Sequence, residues 1–307
     1  MDGARPIDDT GPQSGKSNIW IAAGSTTGSA RLKESMKIGI HAYGEDALTA
    51  DGVDRARAMG AEGVCLGIMG IDGFAEDGVV RGDAMSDAVA RYHDAGIEVP
   101  AGHVGSVPNE MMVGEPGFEE DYRKLVANIE RMAAVGIQSL ILYVTPERPS
   151  DPGDEARAME AFVAFARRLG ADAESFGVGI ACHPWLSRPG LLHGFRRLKE
   201  VCDQVPNRVF GITFCPGGAL AGDDMADVMV NFKDRIHFAH LRDQIGLWDD
   251  FEEVFPGTGE VGVADLVRGL RDSGYDGLIC PEHLGPPKPG RDLEADALQF
   301  MKDVRDN

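Results

Sequence analysis

Four side chains of the kinds that bind divalent metal ions each follow a short apolar stretch in the second half of the chain. They are His183, Cys215, His240 and Glu282. Imidazole, thiolate and carboxylate together suit Zn²⁺, Fe²⁺, Co²⁺ or Mn²⁺ better than Mg²⁺ or Ca²⁺, which prefer ligand shells made of oxygen. A single His or Cys in such a place is more often a packed residue than a ligand, but four in equivalent places favour a metal. The sequence therefore predicts a divalent metal site.

Apolar stretches in the first half of the chain also end on polar side chains. His41, His103 and Tyr143 occupy these ends, and Asp243 closes the run His-Leu-Arg-Asp. We predict that these four residues contact the substrate. We assign no function to the remaining histidines and cysteines, which we interpret as surface or packing residues: His93, His193, His237, Cys65, Cys182, Cys202 and Cys280.

One local unit recurs along the chain and positions these residues. An amphipathic helix ends near a glycine, and a short apolar strand follows, as in RARAMGAEGVCLGI, MAAVGIQSLILYV and LRDSGYDGLICPEH. The glycine suits a left-handed helix cap before a tight turn. Strands that are apolar almost throughout are typical of a parallel sheet covered on both faces.

Eight such units are recognisable. The predicted strands lie near 37–42, 63–68, 97–102, 138–144, 178–183, 209–215, 236–241 and 277–282, and the predicted helices near 49–59, 83–95, 117–134, 154–175, 191–203, 224–232, 263–273 and 292–305. Eight strand–helix units favour a closed α/β barrel of the (β/α)₈ type, the TIM barrel. No G-x-G-x-x-G follows the first strand, which argues against a dinucleotide-binding fold. In such a barrel the strand ends meet on one face, so the four metal-binding side chains converge.

The first part of the chain differs from the rest. Residues 1–35 are rich in Gly, Ser, Thr and Asp and show no sustained periodicity, so we expect a flexible N-terminal extension. The run MKIGIHAYG predicts the first strand, and residues 36–307 are expected to form one catalytic domain. The organisation is thus a single-domain barrel with an extension.

The formal net charge of −20, from 50 acidic and 30 basic residues, excludes nucleic acid and anionic membranes as expected partners. The five cysteines lack the close spacing of a secreted disulfide framework. No apolar run approaches the roughly 20 residues of a membrane span, and no signal peptide is recognisable. These features predict a cytoplasmic protein with a small-molecule partner. A homo-oligomer is compatible with the fold, although no interface is legible.

Several stretches resemble a known superfamily. IACHPW, FCPGG, HFAHLRD, PGTGEVGVADLVRGLRDSGYDGLI and PEH are similar to motifs of the xylose isomerase-like TIM barrels, and the resemblance covers most of residues 36–305. Within that group the sequence resembles the mannonate dehydratases most. Those enzymes bind Mn²⁺ or Fe²⁺ through His, Cys, His and an acidic residue. The resemblance therefore implies His183, Cys215, His240 and Glu282 as ligands of Mn²⁺ or Fe²⁺, with Zn²⁺ or Co²⁺ as further options.

The resemblance also implies catalytic roles. The histidine that closes the Pro-acid-His motif falls on His283, which is expected to act as acid or base. Arg242, in the His-Leu-Arg motif, is the natural partner of a substrate carboxylate, since a guanidinium binds a carboxylate through two hydrogen bonds. The implied activity is metal-dependent dehydration of a sugar acid, mannonate giving 2-keto-3-deoxy-gluconate.

Two alternatives stay open. A sugar isomerase or epimerase of the same superfamily would carry a Glu two residues before the fifth-strand His, where this chain has Ala181. A non-catalytic sugar-binding barrel is favoured by two departures from the dehydratase pattern. Residues 184–189 read PWLSRP where the family has Pro-Asp-Asp-Pro-Pro, and the family's Tyr beyond the last strand has no counterpart in GPPKPGRDLEADAL.

Overall fold

Eight parallel strands close into a barrel in a computed structural model of the protein, which confirms the predicted fold class. The structure describes residues 36–307 except 45, 106, 187–189 and 248–249, so the predicted extension over 1–35 lies outside the described residues. The barrel strands are β1 (Lys37–Ala42), β2 (Gly63–Gly67), β3 (Glu98–His103), β4 (Ser139–Val144), β5 (Gly179–Pro184), β6 (Phe210–Phe214), β7 (Ile236–Leu241) and β10 (Leu278–Pro281).

Each barrel strand pairs with the next one along the chain, and β10 pairs with β1 to close the ring. Between β7 and β10 the chain adds an antiparallel hairpin of two short strands that the sequence did not predict, β8 (Asp243–Ile245) and β9 (Glu252–Val254). The β8–β9 hairpin directly follows the strand that carries His240. It therefore lies at the face of the barrel where the strands end.

Ten helices accompany the strands within the described ranges. They are α1 (Ala50–Ala58), α2 (Phe74–Asp77), α3 (Gly82–Asp94), α4 (Asn109–Met112), α5 (Glu119–Ala134), α6 (Pro152–Phe176), α7 (Gly194–Cys202), α8 (Met225–Asn231), α9 (Val263–Ser273) and α10 (Leu293–Asp306). Eight of them match the predicted helices, whereas the one-turn helices α2 and α4 were not predicted. None of the described helices has the length and apolar character needed to cross a membrane.

The long helix α6 shows how local sequence sets the boundaries of these elements. Asp151 accepts hydrogen bonds from the backbone N–H groups of Gly153 and Asp154, which caps the helix start, and Pro152 occupies the first turn. The helix ends at Gly177, whose φ of 72° places it in the left-handed region. This glycine cap leads straight into β5 and so fixes where His183 emerges.

The core has two parts separated by the strands. Side chains that point toward the helices form the larger outer part. Inside the barrel the buried residues are Cys65, Ala101, Ile141, Ala181, Phe238, Leu278 and Cys280, with Tyr143 packed against them. The described side chains thus fill the barrel interior. The strand-end residues lie directly above this buried inner layer.

Candidate metal centre

The four predicted metal ligands come together at the face where the strands end. One ligand atom from each of His183, Cys215, His240 and Glu282 lies within 4.8 Å of the others. His183 and His240 are on β5 and β7, and Cys215 and Glu282 directly follow β6 and β10. Cys215 Sγ is 3.2 Å from Glu282 Oε1, and His240 Nδ1 is 3.2 Å from Glu282 Oε2. The cluster therefore has the compactness of a single coordination site.

His240 is the side chain that most needs a cation. It is fully buried, and neither ring nitrogen has a hydrogen-bond partner among the described residues, because the approach to Glu282 lacks the alignment of a hydrogen bond. Unpartnered buried nitrogens are costly, and metal coordination is one way to satisfy them. Burial, with His183 nearby, lowers the pKa of His240 well below its ordinary value. The ring is thus held in the neutral form that coordinates metals.

The other donors fit the same ion. His183 Nδ1 donates to the backbone carbonyl of Pro184 at 2.9 Å, which leaves the lone pair on Nε2 available. Burial, and then the Glu282 charge, raise the pKa of the Cys215 thiol well above its usual value. A coordinated cation reverses that shift, because it deprotonates the thiol that binds it. Two imidazoles, a thiolate and a carboxylate are therefore a suitable set for a divalent transition metal.

Aromatic and imidazole rings form a closed circuit at the face of the barrel where the strands end, and two of the candidate ligands belong to it. Neighbouring ring centroids are 4.6 to 5.3 Å apart around the circuit. In order its members are His41, Tyr43, His103, Tyr143, His183 and His240. Phe238 lies against the rings of His41 and His240, at 5.7 and 5.1 Å. We call the end of the barrel lined by these six rings the mouth. The candidate metal ligands form one side of the mouth, and the other rings form the opposite side.

Three of the predicted substrate contacts lie on this circuit: His41, His103 and Tyr143. His41 Nδ1 and His103 Nε2 are buried without a hydrogen-bond partner in the described part of the chain. Burial lowers the pKa of His103 to about 4 and the pKa of His41 well below its ordinary value. A neutral imidazole with an unpartnered nitrogen can form a hydrogen bond with a substrate hydroxyl group. The predicted substrate role of these residues is compatible with this geometry and stays a prediction.

Tyr43 belongs to the same mouth but was missed in the sequence. It comes directly after β1, stacks on His41 at 4.8 Å, lies 5.2 Å from the His103 ring, and is 41% exposed. A ring this exposed, lying between the rings of His41 and His103, is available to a ligand. Its position two residues beyond His41 was the only signal, because alternate residues of an extended chain point the same way.

A second group of charged residues adjoins the metal cluster. Arg242, only 7% exposed, donates from Nη2 to Glu253 Oε1 at 2.5 Å. His283 Nδ1 lies 2.8 Å from the same oxygen, and His283 Nε2 lies 3.8 Å from Glu282 Oε2. The two predicted catalytic residues therefore meet at Glu253. Glu253 was not predicted, because it lies within an acidic run on a hairpin that leaves no recognisable pattern in the sequence.

The backbone of His283 is unusual. With φ at 51°, it is the one non-glycine residue of the described chain in the left-handed region. Such a conformation costs free energy and persists where the surroundings enforce it, often at functional sites. The side chain is 45% exposed and thus accessible to solvent.

Asp243 does not face the mouth as predicted. It is fully buried, and its carboxylate accepts hydrogen bonds from the backbone N–H groups of Gln244, Gly257, Gly259 and Val261. These four donors occupy the carboxylate, so we assign Asp243 to positioning the loop after β9 instead of to substrate binding.

Ala181 bears on the choice between sugar chemistries. It is fully buried in the inner core, two residues before His183 on the same face of β5. Thr213 Oγ1 donates to its carbonyl at 2.9 Å. No carboxylate is available at this position to join the metal cluster.

Curated proteins of known name match part of this chain. A mannonate dehydratase from Lactococcus lactis subsp. cremoris is 31% identical over 147 residues, which are 42% of this chain and 40% of that protein. Another from Shouchella clausii is 29% identical over 123 residues, 36% of this chain and 34% of that protein. The chain thus matches well under half of the length of these curated relatives.

Solved structures show the same fold. A mannonate dehydratase from Streptococcus suis serotype 2 superposes with a TM-score of 0.74 at 17% identity, over 89% of this chain and 93% of that one. A 3-keto-D-glucoside 4-epimerase from E. coli gives a TM-score of 0.68 at 16% identity, over 87% of this chain and 99% of that one. A further neighbour, solved with a bound zinc atom, gives 0.67 at 15% identity, over 88% of this chain and 96% of that one.

A family profile extends over more of the sequence than the curated relatives do. The profile of the xylose isomerase-like TIM barrels matches residues 53–304, which include every predicted site residue except His41. The match covers well over half of the chain. The protein therefore belongs to the xylose isomerase-like TIM barrel family.

Proposed function

We propose that the protein is a metal-dependent dehydratase that converts a sugar acid such as D-mannonate into 2-keto-3-deoxy-gluconate. The observation that carries the proposal is the His183, Cys215, His240 and Glu282 cluster, whose donor atoms lie within 4.8 Å of one another. A thiol and three other donors distinguish this set from an all-carboxylate site. The relatives named mannonate dehydratase support the same assignment.

The proposed metal is Mn²⁺ or Fe²⁺, with Zn²⁺ or Co²⁺ as alternatives. Nitrogen, sulfur and oxygen donors together suit these ions, and a structural neighbour was solved with zinc. When bound, the ion supplies a Lewis acid that polarises substrate oxygens and stabilises developing negative charge. His183, Cys215, His240 and Glu282 would hold it.

Arg242 is the proposed partner of the substrate carboxylate. Its side chain is buried, and both Arg242 and Cys215 lie close to Gly217 on the side of the metal cluster. Its Nε has no hydrogen-bond partner among the described residues. A carboxylate bound there would place the adjacent carbon next to the metal cluster.

His283 is the proposed proton carrier. Dehydration removes the proton from the carbon next to the carboxylate, and the hydroxyl of the following carbon leaves with a proton as water. The resulting enol becomes the keto form when the hydroxyl on the carbon next to the carboxylate loses its proton and the following carbon gains one. An exposed imidazole 3.8 Å from Glu282 is suited to hold and deliver these protons. His41, His103, Tyr143 and the newly found Tyr43 would bind the remaining hydroxyls.

A sugar isomerase or epimerase is the second candidate, because an epimerase has the same fold. Proton exchange at a carbon beside a carbonyl needs two opposed acid/base groups. Ala181, which offers no carboxylate, weighs against this candidate. A non-catalytic sugar-binding barrel is the third, and the donor cluster weighs against it.

One set of assays separates the three. Purified protein loaded with Mn²⁺ or Fe²⁺ is incubated with D-mannonate, and we expect stoichiometric formation of 2-keto-3-deoxy-gluconate. No product, together with deuterium incorporation into ketoses in D₂O, would favour the epimerase. If the protein shows neither activity and binds no metal, the non-catalytic sugar-binding barrel is the remaining candidate function. A variant lacking the thiol, Cys215→Ala, is the control and should be inactive.

A further inference from the structure

Glu253 connects the two residues that the proposed reaction needs most. Its Oε1 accepts from Arg242 Nη2 at 2.5 Å and lies 2.8 Å from His283 Nδ1. Arg242 comes from the end of β7 and His283 from the end of β10, so a single oxygen atom joins two strand ends. The Glu253 side chain is 33% exposed, so a ligand can reach it from solvent.

The hairpin holds Glu253 firmly in this position. At its base Asp243 binds backbone N–H groups on both sides of the hairpin. At its outer strand the backbone packs against Gly285, where an added side-chain atom would lie 2.8 Å from the Glu253 carbonyl oxygen and 3.0 Å from Val254 Cα. The strand carrying Glu253 is therefore fixed against the loop that carries His283.

Arg242 is only partly satisfied by this contact. A buried guanidinium is unfavourable without an anion. Its planar fork can bind both oxygens of a carboxylate, yet a single Glu253 oxygen takes only Nη2, and the buried Nε has no partner in the described chain. A second carboxylate that reached Nε would satisfy the arginine better than Glu253 does.

We propose that Glu253 positions His283 and that, in the absence of substrate, its carboxylate occupies the place on Arg242 that the substrate carboxylate takes. Without substrate, Glu253 neutralises Arg242. When a sugar acid binds, its carboxylate takes over Arg242, and Glu253 is left to orient His283 alone. The inference rests on the proposed sugar-acid function. It also explains why the site would prefer a sugar acid to a neutral polyol, because a molecule without a carboxylate cannot displace Glu253 from Arg242.

The test compares D-mannonate with D-mannitol, which differs at the first carbon by lacking the carboxylate. In the metal-loaded Glu253→Gln variant the competing charge is lost, so we expect mannonate to bind roughly three- to five-fold more tightly, the range of a partly exposed ion pair. Mannitol affinity should not change. Glu253→Ala also removes the His283 acceptor, so its kcat should fall about ten-fold or more, whereas Glu253→Gln, which keeps an oxygen, should retain most of it.

Glu252→Gln is the matched control, because it removes the same charge from the exposed neighbouring position of the same strand. It should leave both affinities and kcat unchanged, and all variants should keep wild-type metal content. Weaker mannonate binding in Glu253→Gln, an equal change for mannitol, or an equal effect of Glu252→Gln would overturn the inference. So would wild-type protein with full metal that binds no sugar acid.

The two proposals fail in different ways. If the wild-type protein binds mannonate in an Arg242-dependent manner but forms no 2-keto-3-deoxy product, the dehydratase proposal fails. The affinity shift in Glu253→Gln then still decides whether Glu253 competes with the bound carboxylate.

Discussion

Single residues decide which ion this barrel can hold. The resemblance implies a Glu at the position of Ala181 in the isomerases and epimerases of the superfamily, whereas this chain presents His183 and Cys215 to the candidate metal site. A thiol at the end of β6 moves the donor set from hard oxygen toward softer ligands. Because burial keeps the uncoordinated Cys215 thiol protonated, its proton must leave when an ion binds.

Replacement of the thiol should therefore affect metal binding selectively. We expect Cys215→Ser to lose most of its Mn²⁺ or Fe²⁺ on dialysis, and the Co²⁺-loaded variant to lack thiolate-to-metal charge-transfer absorption. Cys280→Ser is the control, since Cys280 is equally buried and free but belongs to the inner core. Equal metal content in the two variants would contradict the assignment of Cys215 as a ligand.

The buried His103 should give the fold a pH dependence. Burial lowers its pKa to about 4, below the roughly 6.5 expected in the unfolded chain. Between these values the unfolded state binds more protons, so stability falls as pH drops from about 6.5 toward 4 and is unaffected above that window. The loss from this one group is on the order of 2–3 kcal/mol.

Other buried histidines also have lowered pKa values and add to the loss of stability at low pH. The contribution of His103 is therefore measured as the difference between wild type and a variant that lacks this histidine. Urea unfolding of wild type and His103→Gln at pH 7.5 and pH 5 should show a smaller loss of stability for the variant. An identical loss in both proteins would mean that His103 is already protonated or solvated in the folded state.

At the level of elements, strands and helices were predictable from the sequence, but the connections were not. Eight apolar strands and eight amphipathic helices carry clear periodicity, and glycine caps such as Gly177 mark the boundaries. The barrel brings strand ends together whatever the loops do, so the convergence of the four candidate ligands could be predicted. The β8–β9 hairpin is too short and too polar to leave a pattern, so Glu253 was missed, and Asp243, predicted to contact the substrate, instead has its carboxylate buried on backbone N–H groups.

Asp243 is the residue on which this hairpin depends. In Asp243→Asn an amide N–H₂ would replace one oxygen that accepts backbone N–H groups, leaving buried donors unpaired. We expect a loss of about 2–3 kcal/mol in stability, with faster amide hydrogen exchange over residues 243–261. Asp250→Asn, the same change at an exposed position of the hairpin loop, should have little effect. Similar exchange in both variants would contradict the proposed role.

Across the whole molecule, the two halves of the barrel contribute different things. The strands β1, β3 and β4 supply or lead into the ring circuit through His41, His103 and Tyr143. The strands β5, β6, β7 and β10 supply or lead into the metal donors. The mouth thus has one side that carries the candidate metal donors and another that carries flat rings. The two sides differ because the strands of the first half of the closed barrel end in aromatic and imidazole side chains, whereas those of the second half end in or before the candidate metal donors.

The net charge of −20 acts on that mouth as a whole. On the proposed function, a negatively charged sugar acid approaches a strongly negative protein. Salt screens this repulsion substantially once the Debye length falls to about 10 Å, at 0.1 M salt. The contact with Arg242 is buried and is screened less than this long-range repulsion. We therefore expect the KM for D-mannonate to fall about two-fold or more between 10 and 150 mM NaCl, while mannitol inhibition stays constant. A KM that rises with salt would show instead that the local positive field of Arg242 and the metal governs substrate capture.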